Sequence, residues 1–238
     1  MLRSNQKIKF IPNKKINSMF YPKPASSFIP DWYKDTETYL TESNNEANSI
    51  SRDFSTIKRC PPIFDSITSG YIIVTPSDLM IKRQDGAPYY IWLEDLIDFH
   101  PADQALLHPY KVIKDDGNIA DYPKIMNPWH VQTPKGYSSL FIPPMHRQNI
   151  ISILPGVVDT DIFKLTVNFP FVLSNPEFEG VIPAGTPIAQ VIPFKRDEWK
   201  MSVDEDPDMN EIKDQYSLFD SKFLNVYRTF FWQKKKYK

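Results

Sequence analysis

Cysteine is almost absent from this 238-residue chain. Cys60 is the single one, so the sequence excludes an internal disulfide framework and fits a reducing compartment. Long apolar runs are missing as well: no stretch of about 18 apolar residues occurs, which predicts that no segment spans a membrane. The N-terminal stretch is basic but is not followed by an apolar run, so we expect no signal peptide.

The sequence also lacks an excess of charge of either sign, and it contains few glycines. The formal net charge is -1, which argues against a nucleic-acid-binding surface spread over the whole molecule. Only 7 glycines stand beside 22 prolines, and proline at that density favours edge strands, extended arms and rigid turns over helices. Aromatic residues, by contrast, reach 14%, which predicts a folded core built largely from Phe, Tyr and Trp.

The pattern along the chain predicts three parts. Residues 1–57 scatter aromatic residues among prolines without a helical or alternating period, which indicates an N-terminal arm. Residues 58–195 contain the short apolar runs and turn residues of a β domain, interrupted by an insertion over residues 83–132. Residues 196–238 predict an acidic linker followed by an amphipathic C-terminal helix.

Individual elements can be predicted within these parts. Residues 163–173 alternate strictly between apolar and polar, which predicts a strand with one buried face. That face would hold Phe163, Leu165, Val167, Phe169, Phe171 and Leu173. The other predictions are strands over residues 137–142 and 188–192, a short helix over residues 93–99, a polar loop over residues 36–49, and a C-terminal helix that starts near Asn210 or Asp214.

Four segments occur in the order of the sequence motifs of trimeric dUTPases and the related dCTP deaminases. They are SGYIIVTPSDLMI from Ser69, TPKGYSSLFIPPMHR from Thr133, PGVVDTDIF from Pro155 and FEGVIPAGTPIAQVIPF from Phe178. The region over residues 58–195 therefore resembles the dUTPase-like (β-clip) superfamily. The resemblance implies an all-β fold, a dUTPase-like β-clip barrel with an extended N-terminal arm and a C-terminal α-helix, assembled as a homotrimer.

The whole chain is also similar to a family of tailed-bacteriophage proteins. This second resemblance implies a viral protein located in the host cytoplasm or in the virion, and it implies no particular activity.

The dUTPase resemblance also implies roles for individual residues. Asp159 takes the place of the carboxylate that activates the attacking water, so it is the candidate catalytic residue. His146 and Arg147 stand where the family binds phosphates and are candidate ligand contacts. Four further candidate ligand-binding residues follow from their positions in the motifs: Gly136, Gly156, Asp161 and Gln190.

Departures from the family pattern argue against ordinary dUTP hydrolysis. Ile72 replaces a carboxylate that helps to position the metal-bound triphosphate, and Met145 and His146 replace the Arg and Ser that hold phosphates. Hydrolysis of a triphosphate needs neutralisation of charge at the phosphates. Whether the protein is an enzyme therefore stays open, as does its cofactor, with Mg²⁺ one option. Asp159 has an alternative role as a turn residue that bonds to backbone amides.

Three histidines are candidate metal ligands: His100, His108 and His130. With Asp103 and Asp159 they could supply nitrogen and oxygen donors to a metal ion. Their spacing lacks the tight pattern of a zinc motif, and the His-Pro pairs at both ends of the insertion fit rigid turns equally well.

Three functions remain open from the sequence. The favoured one is a phage-encoded, catalytically non-standard dUTPase-like protein that binds a nucleotide or nucleotide-like ligand at subunit interfaces. The alternative is a structural virion or assembly trimer of the head-decoration type, in contact with other phage structural proteins; it rests on an analogy of folds. The second alternative is a divergent nucleotide hydrolase or deaminase. The sequence does not identify the ligand.

Overall fold

The computed structural model describes residues 6–13, 15–42, 52–93, 110–113, 119–221 and 226–238. The chain forms two compact units. The first comprises residues 1–28, 70–196 and 237–238, and the second comprises residues 29–69 and 197–236. Most of the first unit is therefore inserted into the sequence of the second.

Short antiparallel strands dominate the described residues, which confirms the predicted all-β class in its coarse form. In chain order the strands are β1 (Lys9–Pro12), β2 (Lys23–Pro24), β3 (Tyr39–Glu42), β4 (Arg52–Ser55), β5 (Tyr71–Val74), β6 (Leu79–Gln84), β7 (Ala87–Trp92), β8 (Tyr110–Ile113), β9 (Ile119–Tyr122), β10 (Lys124–Ile125), β11 (Trp129–Gln132), β12 (Tyr137–Ile142), β13 (Ile151–Ile153), β14 (Gly156–Val158), β15 (Phe169–Leu173), β16 (Gly180–Ile182) and β17 (Pro187–Lys195).

Helices are few and short. They are α1 (Asp31–Asp35), α2 (Pro61–Thr68) and α3 (Asn210–Ser221), with 3-10 turns at Ser18–Phe20, Ala25–Phe28 and Ile57–Arg59 and a π-helical turn at Tyr227–Phe231. In the part of the chain that the structure describes, none of the helices has the length and apolar character needed to cross a membrane.

The largest sheet of the first unit has five strands in the order β14-β12-β17-β5-β2. β12 and β17 pair along the whole of β12, from Tyr137 opposite Lys195 to Ile142 opposite Gln190. The turn before β12 therefore lies beside the end of β17. Smaller antiparallel sheets have the orders β10-β15-β13, β16-β6-β7, β1-β11 and β8-β9, so both β1 and β2 of the predicted arm pair with strands of this unit.

Aromatic residues fill much of the core of the first unit, as the composition predicts. Trp129, Phe141, Phe169 and Phe171 are its largest fully buried side chains. The rings of Phe141 and Phe169 lie 5.8 Å apart between centroids. Full burial of one such side chain contributes about 1.5–3 kcal/mol to stability, so these rings hold the small sheets together.

Several predicted elements are confirmed. β12 has the predicted bounds, and the strand predicted over residues 188–192 lies within β17. α3 begins at Asn210, one of the two predicted starts. The prediction of α3 depended on apolar residues at helical spacing. Beyond Leu93, the helix predicted over residues 93–99 lies outside the described residues.

The prediction of a single strand over residues 163–173 is wrong in its first part. β15 begins only at Phe169, and Phe163 and Leu165 are exposed. The chain makes a turn here, because the amides of Ile162 and Phe163 both donate to the carbonyl oxygen of Asp159, at 2.9 and 2.8 Å. Alternation alone does not reveal this turn. After it, Thr166 forms an isolated bridge to His130 before β15 begins.

The predicted polar loop over residues 36–49 also needs correction. Its described part includes β3, which pairs with β4 in a two-stranded antiparallel sheet. This hairpin belongs to the second unit.

A buried carboxylate organises the rest of the second unit. Asp65 on α2 accepts hydrogen bonds from Nε1 of Trp232, at 2.8 Å, and from Nζ of Lys235, at 2.7 Å. The segment after the π-helical turn is thereby held against α2. Pro30, Tyr33, Ile67 and Val226 are the buried apolar residues in the described part of this unit. No residue of α3 is buried.

Candidate functional site

The candidate catalytic residue Asp159 begins the tight turn that follows β14. The turn is anchored by Thr160, which is fully buried. Its hydroxyl lies 2.7 Å from the hydroxyl of Thr133 and 2.9 Å from that of Ser139. Because Thr160 is fixed on both sides, the carboxylates of Asp159 and Asp161 project from a rigid backbone.

Arg196, immediately after β17, binds both of these carboxylates. Its Nη1 lies 3.2 Å from Oδ1 of Asp159 and 2.8 Å from Oδ1 of Asp161, and its Nη2 lies 2.5 Å from Oδ2 of Asp161. Two parallel bonds to one carboxylate form the strongest ion-pair geometry that arginine makes. Arg196 is not predicted by the sequence motifs; its one signal is its position two residues after the end of the fourth motif segment.

Asp161 is the firmly held member of the pair. Its side chain is only 3% exposed, and its Oδ2 also accepts from the amide of Gly136 at 2.7 Å. The hydrogen bond from Arg196, helped by the one from Gly136, holds the pKa of Asp161 well below its usual range. The same contact raises the pKa of Arg196. Both groups are therefore ionised at neutral pH.

Asp159 is the accessible member, with a side chain that is 58% exposed. Its Oδ1 accepts from Oγ of Ser138 at 2.6 Å in addition to Arg196. The bond to a backbone amide that the sequence suggested for Asp159 is made by Asp161 in this structure. The carboxylate of Asp159 thus faces solvent with one oxygen already engaged.

The other candidate ligand residues lie past the opposite end of β12. His146 is exposed in a turn and has a left-handed φ of 58°. Gln190 is buried, and its Oε1 accepts from the amide of Met145 at 2.9 Å, which supports the same turn. Gly156 pairs with Phe141 near this end of the strand.

The structure therefore divides the predicted site into two clusters. Gly136, Asp159 and Asp161 lie at the start of β12, while the turn that contains His146 and Arg147 follows its end. The five steps from Tyr137 to Ile142 put the two ends of β12 about 17 Å apart, since a strand rises about 3.3 Å per residue.

The candidate metal ligands do not form a cluster in the part of the chain described here. His130 lies on β11, and its Nδ1 is 2.8 Å from the carbonyl oxygen of Lys164. His100, His108 and Asp103 lie outside the described residues. Among the described residues, no group of three or more His, Cys, Asp or Glu side chains could hold a metal ion.

Exposed apolar residues adjoin the Asp159 turn. Val157 and Ile162 flank it and are 61% and 72% exposed, and Leu165 follows at 66%. β14 is also an edge strand of the five-stranded sheet. Apolar side chains grouped beside a sheet edge are typical of surfaces that contact another chain.

No protein-family model matches this chain, and comparison with curated proteins likewise gives no match. The dUTPase resemblance of residues 58–195 therefore stays a prediction, and the geometry above is the basis for a proposal.

Proposed function

We propose that the protein is a dUTPase-like homotrimer of phage origin that binds a nucleotide or nucleotide-like ligand at its subunit interfaces without hydrolysing dUTP. The observation that carries the proposal is the separation of the two residue clusters by the length of β12. A ligand bound at Asp159 would lie about the length of this strand away from His146 of the same chain. Two copies of the chain can place one cluster opposite the other.

The exposed apolar residues around the Asp159 turn support assembly of several copies. Val157, Ile162 and Leu165 would leave water on contact with another copy, and burial of apolar area is the main driving force for association. An interface at this point would bring a second chain next to Asp159, as the proposal requires.

The contacts of Asp159 support the absence of hydrolysis. A general base must accept a proton from the attacking water. In this chain Oδ1 of Asp159 already accepts from Ser138 and Arg196. The side chains with which the family holds phosphates are also replaced, so activation of water and neutralisation of phosphate charge are both weakened.

The first test is the mass of the assembly in solution. Light scattering after size exclusion should give three times the chain mass of 27.8 kDa. Replacing Ile162 and Leu165 by Asp should lower the mass to that of one chain. A wild-type protein that is monomeric at micromolar concentration would overturn the proposed interface site.

The second test is binding and turnover of dUTP. Isothermal titration should detect dUTP binding in wild type, and chromatography of the products should show no conversion to dUMP. His146→Ala and Asp159→Asn should each weaken binding. Asp85→Asn, which changes an exposed carboxylate in the turn between β6 and β7, should leave it unchanged. Equal affinity in all four proteins, or rapid dUMP formation, would contradict the proposal.

A structural role in the virion is the second candidate, and one observation favours it. Residues 197–209 have no helix or strand, yet they expose Trp199, Met201 and Val203 almost completely. Large apolar side chains in an extended segment are suited to docking on another protein. Mass spectrometry of purified virions decides the matter: stoichiometric presence supports this role, and absence supports the ligand-binding proposal.

A further inference from the structure

The second unit contains a cleft of about 340 Å³ whose walls combine aromatic rings and cations. The rings are those of Tyr33, Tyr39, Phe64 and Trp232, and the cations are Lys58, Arg59 and Arg228. They come from three segments that are distant in sequence, so no sequence motif indicates the cleft.

The aromatic walls are held in place by neighbouring elements. Tyr39 lies on β3, and the guanidinium carbon of Arg59 is 4.7 Å from the centre of its ring. The indole of Trp232 is oriented by its 2.8 Å hydrogen bond to Asp65. Two ring faces are therefore set before any ligand arrives, which lowers the entropic cost of binding.

The cations are also positioned. Nζ of Lys58 donates to the carbonyl oxygens of Lys34 and Thr36, at 2.6 and 2.9 Å, which places its charge at the cleft. Arg228 lies with its guanidinium carbon 5.9 Å from the ring centre of Trp232. Among the described residues that line the cleft, three carry a positive charge and none carries a carboxylate. Such a lining attracts anions.

We propose that this cleft binds a small organic anion with an aromatic ring, of which a nucleoside monophosphate is the common biological example. The rings of Tyr39 and Trp232 would stack on the base, and Arg228 with Arg59 would bind the phosphate. Ligand sites commonly measure about 300–1,000 Å³, so the cleft is large enough for one mononucleotide. The inference does not rest on the proposed function, because it uses none of the residues of the Asp159 or His146 clusters.

Titration with AMP and with UMP, followed by tryptophan fluorescence and calorimetry, tests the site. Adenosine, uridine and inorganic phosphate serve as separate probes of the ring and the anion. Because both parts of the ligand are recognised, each monophosphate should bind at least about tenfold more tightly than its nucleoside or phosphate alone. Equal binding of nucleoside and monophosphate would overturn the role of the cations.

Variants locate the binding to the cleft. Arg228→Gln and Tyr39→Ala should each weaken monophosphate binding by roughly tenfold, through loss of a charged contact and of a stacking surface. Tyr39→Phe keeps the ring and should retain the affinity. Lys213→Gln removes one exposed positive charge from α3 in the same unit and should also retain it.

Two results would overturn the proposal. One is no detectable heat or fluorescence change with AMP or UMP at millimolar concentration. The other is the same affinity in Arg228→Gln, Tyr39→Ala and Lys213→Gln. If Arg228→Gln does not fold, as judged by circular dichroism, Arg228→Lys replaces it. That variant keeps the charge but loses the planar fork, so it should bind several times more weakly than wild type.

Discussion

Gly70 precedes β5 with a φ of +74°, and a Cβ atom on it would lie 2.1 Å from the carbonyl oxygen of Val191. The position of a Cβ atom is fixed by the backbone of its own residue, and the atom that it meets is a backbone oxygen. No side-chain rotation can therefore relieve that clash. Gly86 has a similar φ of +80°, but among the described atoms a Cβ there would meet nothing within 4 Å. Substitutions at these two glycines therefore distinguish the effect of a steric clash from the effect of backbone strain alone.

We expect Gly70→Ala to lower the free energy of unfolding by about 3 kcal/mol or more, since steric overlap adds to backbone strain. Gly86→Ala should lower it by about 1 kcal/mol through strain alone. Urea denaturation followed by tryptophan fluorescence measures both. Equal losses would show that the backbone near Val191 yields to the added methyl group.

Because of the ion pair between Arg196 and Asp161, we expect the free energy of unfolding to fall at acidic pH. The pKa of Asp161 is lowered in the folded chain by its hydrogen bonds from Arg196. Its contribution to stability is therefore fully present above the pKa of an unfolded aspartate, about 3.9, and is lost as the pH falls toward the folded-state pKa.

Arg196→Gln should raise the pKa of Asp161 and so move the midpoint of acid unfolding to higher pH. Circular dichroism across an acid titration gives that midpoint. Lys200→Gln removes an exposed charge four residues along the chain and should leave the midpoint in place. An unchanged midpoint in Arg196→Gln would mean that another partner holds Asp161 in the folded state.

The sequence predicted three residues of this site but not Arg196, which binds both carboxylates. The motif order identified Asp159, Asp161 and Gly136, and the structure brings these three residues together. Arg196 was missed because its partners depend on the register of β17 against β12, which a motif does not contain. The spacing of the motifs likewise did not reveal that β12 separates His146 from Asp159.

Among the elements, the segment after the π-helical turn depends most on a single side chain. Asp65 accepts from both Trp232 and Lys235. Asp65→Ala leaves the indole N–H and the ammonium without this partner, so we expect a loss of about 1–3 kcal/mol. Trypsin should then cleave at Lys234 to Lys236 faster than in wild type.

Asp214→Ala on α3 is the matched control, because Asp214 is exposed in the same unit. It should leave the cleavage rate unchanged. Rapid cleavage in both variants, or in neither, would show that Asp65 does not hold this segment.

Elements with a local signal were predicted well, and those defined by distant contacts were not. The start of α3 follows from apolar residues at helical spacing. The strand over residues 163–173 was predicted too long, because its first residues belong to the turn at Asp159. The aromatic cleft escaped prediction altogether, since its walls come from three separate segments.

The two units of the chain differ in the apolar area that each of them buries. The first has a large aromatic core. The buried apolar residues in the described part of the second are Pro30, Tyr33, Ile67 and Val226. Local opening requires less free energy where fewer apolar contacts are lost. We expect amides of α1 and α2 to exchange hydrogen faster than those of β5, β12 and β17.

Hydrogen–deuterium exchange followed by mass spectrometry measures this difference, with peptides from each unit in one sample. AMP at saturation should slow exchange in the second unit if its cleft is occupied. The same protection in both units of the free protein would show that the chain unfolds as a single cooperative body.

The insertion of residues 70–196 into the second unit has a consequence for the order of folding. The halves of the cleft are separated by the whole inserted segment, and joining the ends of so long a flexible loop is entropically costly. The pairing of Tyr71 with Val191 brings the two ends of that segment close together. Once β5 and β17 have paired, the loop that must still close between α2 and Trp232 is much shorter, which lowers its entropic cost. We therefore expect β5 and β17 to pair before the cleft closes.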